Sequence, residues 1–379
     1  MNVSVASIAR SIVPPVTGKS SNAHLFGSAR ASYDRARVTG RNRLVLLASV
    51  AALALTLPAS SPSAATRVFR AALVTDVYSA DPHSVRGAII VAFDQAVKRF
   101  HVQGRIVEYN VRAGQVPTLT SLAQQGYDLV FVSVFDAVSD ARTFADFAPR
   151  FPHTTFAMPE IPYAFLAASH AKNGHPKNVL GTDWRVQEPA YLAGYLAALE
   201  EQRRAGGHIV GSVGGCRCPG IVLPFQDGFD AGAHKADPGI TSLRSYSNDF
   251  QDQTKCRKAA LGEISRGAGV VFNVAGICGL GTLAAAKQKG VWGVGVDVDQ
   301  SFLGPHILTS VVKRYDIYVN RMIRSLVDGK LGGGGDIVED LNDGGVGLGA
   351  LSRKVPAAFV RQIERIRAEI AAGTIRVPN

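Results

Sequence analysis

The sequence predicts an α/β protein of two lobes, each built on a doubly wound parallel sheet, joined by a hinge with a cleft between them. Strand-like and helix-like segments alternate along the chain, and the alternation begins a second time near residue 188. The length of 379 residues also suits two lobes better than one small core. Hydrophobic residues make up 46% of the chain and charged residues 19%, which indicates a globular body rather than disorder.

The N-terminal extension, residues 1–65, is predicted to contain a secretory signal. Arg41 and Arg43 precede an apolar run, LVLLASVAALALTL (44–57), and small residues follow it. The run is short for a membrane span, although an uncleaved anchor is the alternative. We therefore expect a mature protein that begins near Thr66 and is exported to the periplasm, the cell envelope or the medium. The sequence places no lipid-anchor cysteine after the run.

The net charge of +11 raises the question of a nucleic-acid partner. The first 65 residues carry seven Lys or Arg and one acid, which leaves 34 basic and 29 acidic residues, or +5, for the remainder. The remainder contains no basic run interleaved with aromatic residues. The sequence therefore argues against nucleic-acid binding.

The first lobe is predicted to comprise residues 66–183 together with 313–338. Apolar residues at helical spacing predict its helices, and short apolar runs that end on polar or glycine residues predict its strands. The predicted strands are 69–79, 105–111, 127–135, 154–160 and 178–184. The predicted helices are 83–100, 118–126, 136–151 and 315–329.

The second lobe is predicted to comprise residues 184–312 together with 339–379, on the same criteria. Its predicted helices are 188–204, 223–236, 251–267, 279–290 and 353–372. Its predicted strands are 208–215, 241–247, 269–276, 291–297 and 307–314, and a short strand IVEDL (337–341) lies near the boundary.

Candidate functional residues collect at the carboxyl ends of the predicted strands. Asp76, Phe135, Asn273 and Asp297 all lie at or near such ends. In doubly wound sheets ligands bind at this edge. Two lobes whose edges face each other form a cleft, as in proteins that close by a hinge.

A metal site and a catalytic acid/base pair are two possible roles for Asp297 and Asp299 in GVGVDVDQ (293–300). A metal site needs more oxygen ligands, and no third acid is near in sequence. The motifs G-x-S-x-G, H-E-x-x-H and G-x-x-x-x-G-K-[ST] are all missing from the sequence. We therefore expect no enzyme activity, no metal and no cofactor.

A binding site accounts better for these residues. The Asp297 carboxylate can accept hydrogen bonds from vicinal hydroxyls, and the Lys313 ammonium can hold another polar atom. Trp184 and Phe135 can stack on a flat ring. Gly276 precedes a predicted helix whose N-terminal amides can donate to a ligand. The alternatives are a strand-end aspartate bonded to its own backbone, a solvated lysine, and aromatic residues that belong to the core.

The four cysteines, Cys216, Cys218, Cys256 and Cys278, favour two disulfides in an exported protein. Zinc is the alternative, although C-x-C followed by single, distant cysteines is not a usual zinc spacing. Neighbouring cysteines in C-x-C rarely bridge each other. We therefore expect Cys216 and Cys218 to pair with Cys256 and Cys278.

Several stretches taken together resemble the basic membrane protein family of ABC-transporter substrate-binding proteins, which includes purine nucleoside receptors. The resemblance covers about residues 68 to 348, and the ordered pair GVDVDQ and LTSVVKR is its most specific part. The stretches are ALVTD (72–76), SLAQQGYDLVF (121–131), EPAYLAGYLAAL (188–199), GFDAG (228–232), GLGTLAAAKQKG (279–290), GVDVDQSFL (295–303), LTSVVKR (308–314) and DGGVGL (343–348).

The resemblance implies a type I periplasmic-binding-protein architecture, a monomer that binds a nucleoside between its lobes and serves ABC permease subunits. By the same resemblance, Asp297 holds ribose hydroxyls and Lys313 reaches the ligand from a hinge strand. Phe135 and Phe272 match positions that line the base, and Asp76 stands at the mouth of the first strand. A sensory or secreted binding module, or a nucleoside hydrolase, are the alternative functions.

One stretch departs from the family pattern. DPHSVRG (81–87) retains Ser84, but Val85 and Arg86 replace the usual phenylalanine and asparagine. Arg86 is expected either to pair with an anionic ligand or to close the cleft by pairing with an acid across it. A strand order of 2-1-3-4-5 in the second lobe places strand 208–215 between 241–247 and 269–276, and so puts all four cysteines on the cleft-facing end.

Overall fold

The computed structural model describes residues 67–76, 81, 83–109, 114–133, 144, 146–164 and 176–378. The predicted signal and Phe135 lie outside these residues. The described residues contain twelve strands. They are β1 (Arg70–Thr75), β2 (Gln103–Glu108), β3 (Leu129–Val132), β4 (Thr155–Ala157), β5 (Val179–Trp184), β6 (Ile209–Gly214), β7 (Thr241–Tyr246), β8 (Val270–Val274), β9 (Trp292–Asp297), β10 (Ile307–Lys313), β11 (Gly335–Glu339) and β12 (Val346–Leu348).

Eight α-helices lie in the same described ranges. Short 3₁₀ turns at Ala148–Arg150 and Ser301–Leu303 add to them. The helices are α1 (Val85–Arg99), α2 (Val116–Gln124), α3 (Gln187–Gln202), α4 (Leu223–Ala236), α5 (Gln253–Ser265), α6 (Leu280–Lys289), α7 (Tyr315–Val327) and α8 (Ala357–Ala371).

The strands form two six-stranded sheets. The first sheet has the order β11-β5-β4-β3-β1-β2 and all of its strands are parallel. The second has the order β12-β10-β9-β8-β6-β7 and is parallel except for β12, which runs antiparallel to β10. The predicted α/β architecture of two doubly wound sheets is confirmed, and β6 lies between β7 and β8 as predicted.

The chain passes between the sheets three times. It leaves the first sheet after β5, and the next helix, α3, packs on α4 beneath the second sheet. It returns after β10, and the next helix, α7, packs on α1 of the first sheet. It leaves again between β11 and β12. Three such connections, side by side in the topology, make a hinge of several strands.

Close contact between α3 and α4 depends on glycines. A Cβ on Gly194 would lie 1.8 Å from the carbonyl oxygen of Phe229, and one on Gly232 would lie 1.9 Å from that of Tyr191. Both distances are far inside van der Waals contact. The helix backbones can therefore approach as closely as they do only because these positions lack side chains.

The ends of several elements differ from the predictions. The last helix begins at Ala357 rather than 353, because Pro356 forms its N-cap with an extended backbone and has no N–H to donate. The short strand predicted at 337–341 is β11 at Gly335–Glu339. The sequence did not predict β12, whose three residues acquire strand geometry only by pairing with β10.

The predicted disulfide pairing is wrong, although the structure has two disulfides. Cys216 bridges Cys218, and Cys256 bridges Cys278. The Cα atoms of Cys216 and Cys218 are 5.3 Å apart, a usual disulfide separation that three residues can span. Cys256 lies in the first turn of α5 and Cys278 just before α6, and these two helices pack together.

The two disulfides close loops of very different length. In the chain-entropy model a loop of about 23 residues, as between Cys256 and Cys278, stabilises the fold by about 3.4 kcal/mol. The three-residue loop of Cys216 and Cys218 contributes about 1.6 kcal/mol.

Over the described ranges, no group of three or more His, Cys, Asp or Glu is placed to hold a metal ion.

None of the helices in the described residues combines the length and the apolar character that a membrane span requires.

Candidate functional site

Asp297 ends β9 with an unusual backbone. Its φ is 63°, in the left-handed region that few residues other than glycine, asparagine and aspartate occupy. The turn that follows is fixed by Gln300, whose Oε1 accepts the Val296 N–H at 3.0 Å and whose N–H donates to Ser310 Oγ. This turn directs the Asp297 carboxylate away from the strand and toward Lys313.

Asp299, two residues later, has a different role. Its Oδ1 accepts the Ser301 N–H at 3.0 Å and its Oδ2 accepts the Ala350 N–H at 3.2 Å. These bonds close the turn after β9 and join it to the segment that follows β12. The two aspartates therefore do not act as a pair.

Glu160, Lys313 and Asp297 form an ion-pair cluster that we call the lysine network. Lys313 Nζ lies 2.7 Å from Glu160 Oε2 and 3.2 Å from Asp297 Oδ1. Glu160 follows β4 of the first sheet, whereas Asp297 and Lys313 end β9 and β10 of the second. The network thus joins the carboxyl ends of strands from both sheets. Only 10% of the Lys313 side chain is exposed.

Burial and charge set the protonation of the lysine network. Burial raises the pKa of Glu160, Lys313 opposes this shift, and Asp297 adds to it. Burial alone would lower the pKa of Lys313, but the carboxylates of Asp297 and Glu160 hold this pKa above its ordinary value. Burial also raises the pKa of Tyr315, and Glu160 and Asp297 add to the shift. Lys313 is therefore a permanent cation between two acids.

Trp184 supports this network from the end of β5. Its indole N–H donates to the Pro159 carbonyl at 2.6 Å, which fixes the residue next to Glu160. Its ring packs against Tyr315 with centroids 5.4 Å apart. Lys313 Nζ lies 5.9 Å from the Trp184 ring centre and 5.8 Å from that of Phe225, within cation–π range. Trp184 is buried, and its position is structural support for the charged groups.

Asp76 and Arg86 form a second charged cluster, which we call the arginine pair. Arg86 Nε donates to Asp76 Oδ1 at 2.5 Å and Nη2 donates to Oδ2 at 2.8 Å, a bidentate geometry. Asp76 directly follows β1 and Arg86 lies in the first turn of α1, so both belong to the first sheet. The expectation that Arg86 reaches an acid across the cleft is therefore wrong.

Ser84 caps α1. Its hydroxyl accepts the Gly87 N–H at 3.0 Å and donates to the Asp81 carbonyl. A Cβ on Gly87 would lie 1.8 Å from that same carbonyl oxygen, so the turn before α1 is compact. The Ser84 side chain is thus committed to the turn that aims Arg86 at Asp76.

His83 and Phe302 make a ring contact between the two carboxyl edges. Their ring centroids are 3.9 Å apart with an interplanar angle of 31°. His83 precedes α1 of the first sheet, and Phe302 lies in the 3₁₀ turn after β9 of the second. Half of the Phe302 side chain remains exposed.

Phe272 and Gly276 occupy different environments along β8 and the loop after it. Phe272 is fully buried, with its ring 5.1 Å from that of Phe229, so it belongs to the core of the second sheet. Gly276 has a φ of 55° and its carbonyl accepts the Gly279 N–H in the turn that leads to α6.

Sequence reasoning missed Glu160, His83 and Phe302. Glu160 ends the predicted strand TTFAMPE, so its position at a strand end was a usable signal. No local pattern indicates the contact of His83 with Phe302, because the two residues meet only when the sheets are assembled.

A cavity of about 400 Å³ lies beside the hinge. It is lined by α1, by Val298 and Asp299 after β9, by the junction of β10 with α7, and by the end of β12 with the residues that follow it. It shares Lys313 with the lysine network but neither carboxylate. Glu160 and Asp297 therefore lie outside this cavity, whereas Asp299 and Asp316 line it.

Comparison with known proteins places the chain in a family. The model of the family described as "ABC transporter substrate-binding protein PnrA-like" matches residues 89–379. The chain belongs to this family. The predicted family is thus confirmed, and its members are substrate-binding proteins rather than enzymes. Substrate-binding proteins of ABC transporters act outside the cytoplasm.

Relatives of the chain include two proteins named basic membrane protein B. It is 34% identical to basic membrane protein B of Borreliella afzelii over 213 residues, which cover 55% of this chain and 60% of that protein. It is 31% identical to basic membrane protein B of Borrelia garinii subsp. bavariensis over 261 residues, which cover 67% of this chain and 71% of that protein. The match to the first of these thus leaves two fifths of its length unmatched.

A further relative carries a more specific name. The chain is 28% identical to the "ABC transporter nucleoside-binding protein BmpA" of Lactococcus lactis subsp. cremoris, over 68% of this chain and 73% of that protein. Among solved structures, a solute-binding protein of Aeropyrum pernix K1 aligns with a TM-score of 0.65 at 21% identity, covering 82% of this chain and 94% of that one. A solute-binding protein of Conexibacter woesei aligns with a TM-score of 0.63, also at 21% identity, over 82% and 99%. These structures agree with the observed fold.

Proposed function

We propose that this substrate-binding protein holds a nucleoside or a closely related compound between the carboxyl edges of its two sheets and presents it to ABC permease subunits. The lysine network is the observation that carries the proposal. It joins both sheets, so a ligand bound there would stabilise one relative orientation of them. The name of the Lactococcus relative supports a nucleoside as the ligand.

Two carboxylate oxygens of the lysine network could accept hydrogen bonds from a ligand. Within the described part of the chain, Asp297 Oδ1 and Glu160 Oε1 are buried and accept no hydrogen bond of normal geometry. Asp297 Oδ1 has only its ion-pair contact with Lys313 at 3.2 Å. Buried acceptors of this kind favour a ligand that supplies hydroxyl donors. A ribose edge with two neighbouring hydroxyls supplies them to one carboxylate.

The arginine pair and the lysine network together determine the charge that the ligand can carry. Arg86 is matched by Asp76, so its charge is already compensated. Together with the lysine network, three carboxylates face two cations across this region. A phosphate would add negative charge to a site that already has a carboxylate in excess. We therefore infer a neutral nucleoside rather than a nucleotide.

The moving bodies are the two lobes, residues 66–183 with 313–338 and residues 184–312 with 339–379. The three connections between the sheets lie at their boundaries. His83 and Phe302 would close the mouth of the cleft when the lobes meet. Asp76, Ser84, Arg86, Phe135, Trp184 and Gly276 are proposed to shape or line this cleft. The N-terminal residues 1–65 are proposed to direct export.

Thermal-shift measurement with nucleosides, nucleobases, nucleotides and sugars tests the proposal. A nucleoside at one hundred times its dissociation constant should add about 2.7 kcal/mol to the free energy of unfolding. Asp297→Asn keeps a residue that accepts the left-handed backbone but removes the charge, and should weaken binding about 100-fold. Asp94→Asn, at an exposed pair with Lys98, is the matched control and should bind normally.

Two outcomes would contradict the proposal. A shift produced by nucleotides or sugars but by no nucleoside would refute the ligand class. An unchanged nucleoside shift in Asp297→Asn would refute the site.

A further inference from the structure

The two disulfides differ in access to solvent. Cys256 and Cys278 are both fully buried and join two packed helices. Cys216 and Cys218 are only partly buried, and Arg217 between them is exposed. A thiol in solution can therefore approach the Cys216–Cys218 disulfide directly. The Cys256–Cys278 disulfide can react only after a local opening of the helices.

Backbone hydrogen bonds hold the Cys216–Cys218 loop independently of its disulfide. On one side, the Gly215 N–H donates to the Val274 carbonyl at 2.9 Å. On the other, the Cys218 carbonyl accepts the N–H groups of Val222 and Leu223 at 3.1 and 3.2 Å. Because these bonds lie outside the three-residue ring, breaking the sulfur–sulfur bond leaves the loop anchored at both ends. The two thiols would stay close enough to bridge again.

Charge at this loop favours reaction. Arg217 separates the two cysteines in the sequence and is exposed to solvent, so its charge is within one residue of each cysteine along the chain. A cation beside a cysteine favours its thiolate, which is both the attacking and the leaving species in exchange. It also attracts an incoming thiolate. The loop thus combines access, anchoring and a positive charge at one reactive bond.

We propose that Cys216 and Cys218 form a reversible thiol–disulfide exchange site whose co-reactant is a small thiol. The incoming thiolate attacks one cysteine sulfur, the bond between the cysteines breaks, and the other cysteine leaves as a thiolate. A second thiol resolves the mixed disulfide and forms the oxidised co-reactant. The cysteine pair gains two electrons and two protons, and two thiols become one disulfide. The site lies at the carboxyl end of β6, on the same edge of the second sheet as Asp297.

Timed reduction of the folded, oxidised protein tests this site. Dithiothreitol is added without denaturant, free thiols are alkylated at intervals, and peptide mass spectrometry follows each cysteine. Cys216 and Cys218 should become labelled at least about tenfold faster than Cys256 and Cys278, because the buried pair must first open. Oxidised glutathione should then restore the exposed disulfide. The melting temperature should stay within a few degrees while only this pair is reduced, since a three-residue loop adds little stability.

Variants separate the exchange site from a structural bridge. Cys216→Ser with Cys218→Ser should melt almost as the parent does and show no fast labelling. Arg217→Gln should slow the reaction several-fold without a change in melting temperature. Equal labelling rates for the two disulfides, or a double variant that fails to fold, would overturn the proposal. An unchanged rate in Arg217→Gln would overturn the role given to that charge.

Discussion

The lysine network and the arginine pair both lie at the carboxyl ends of strands, but they differ in charge balance and in the sheets that supply their members. The network sets two carboxylates against one ammonium and draws its members from both sheets. The pair sets one carboxylate against one guanidinium, and both members belong to the first sheet. Both clusters lie where parallel strands end.

The difference suggests that one group of charged residues binds a ligand, whereas the other stabilises a turn. A bidentate arginine and carboxylate satisfy each other, so the arginine pair stabilises the local turn and offers little to a ligand. The lysine network keeps two buried carboxylate oxygens, Asp297 Oδ1 and Glu160 Oε1, that accept no hydrogen bond of normal geometry, and a ligand hydroxyl could supply that bond. The lysine network is therefore the candidate for binding, and the arginine pair holds the turn between β1 and α1.

Removal of the Lys313 cation is expected to have the largest effect on stability. In Lys313→Met the partly buried carboxylates of Glu160 and Asp297 face each other without compensation, and the free energy of unfolding should fall by about 3 kcal/mol, the lower end of the range for a buried pair. Urea unfolding followed by circular dichroism measures this loss. Lys98→Met, at an exposed pair with Asp94, should change the free energy by less than about 1 kcal/mol.

A second substitution makes this prediction specific. Addition of Glu160→Gln to Lys313→Met removes one of the uncompensated charges and should recover part of the lost stability. Strictly additive effects of the two substitutions would show that these residues do not interact as described.

Loss of the arginine should have an intermediate effect. Arg86→Gln leaves Asp76 without its two charged hydrogen bonds and should lower the free energy of unfolding by about 2 kcal/mol. It should also weaken binding of a neutral nucleoside by about tenfold or less, because the turn before α1 loses its anchor. Calorimetric titration measures the affinity.

Arg86→Lys separates charge from geometry. Lysine keeps the positive charge but lacks the planar fork, so its effect should lie between those of the parent and Arg86→Gln. A lysine variant equal to the parent would mean that charge alone matters at this position.

The smallest expected effect is a dependence of stability on pH that arises from Glu160 in the lysine network. Burial raises the pKa of Glu160 above its ordinary value of 4.5, so the folded protein binds this proton more tightly than the unfolded chain does. The stability that Glu160 contributes is therefore full below pH 4.5 and declines as the pH rises through the raised pKa. Glu160→Gln should remove that decline.

The measurement is the difference in unfolding free energy between parent and Glu160→Gln from pH 4.5 upward. The parent should lose stability relative to the variant as the pH rises. A difference that is constant with pH, or that has the opposite sign, would contradict the burial of this carboxyl group.

The sequence predicted the sheets well because their evidence is local. Alternating helical and strand periodicity is visible in short windows. The rule that ligand residues follow parallel strands pointed to Asp76 and Asp297, which both lie in charged clusters at strand ends, and their role in binding stays a prediction. It failed where a partner is distant. Glu160 meets Lys313 from 153 residues away, and no short window contains both. The three residues of β12 likewise acquire a strand conformation only from pairing with β10.

Two further differences between expectation and structure have physical causes. The cysteine pairing was predicted from the rarity of C-x-C bridges, whereas the packing of α5 on α6 brings Cys256 and Cys278 together. Phe272 was assigned to the cleft by resemblance, and the alternation of β8 directs it into the core against Phe229. Its role in binding stays a prediction, as does that of Phe135, which lies outside the described residues.

The left-handed backbone at Asp297 decides which amino acids this position can accept. Alanine, the usual choice for deleting a side chain, would incur a backbone cost of about 1 kcal/mol there in addition to the lost carboxylate. Glycine adopts the same φ freely, so Asp297→Gly deletes the side chain without that strain. Directed libraries at this position should therefore be enriched in folded clones carrying glycine, asparagine or aspartate, whatever ligand is selected.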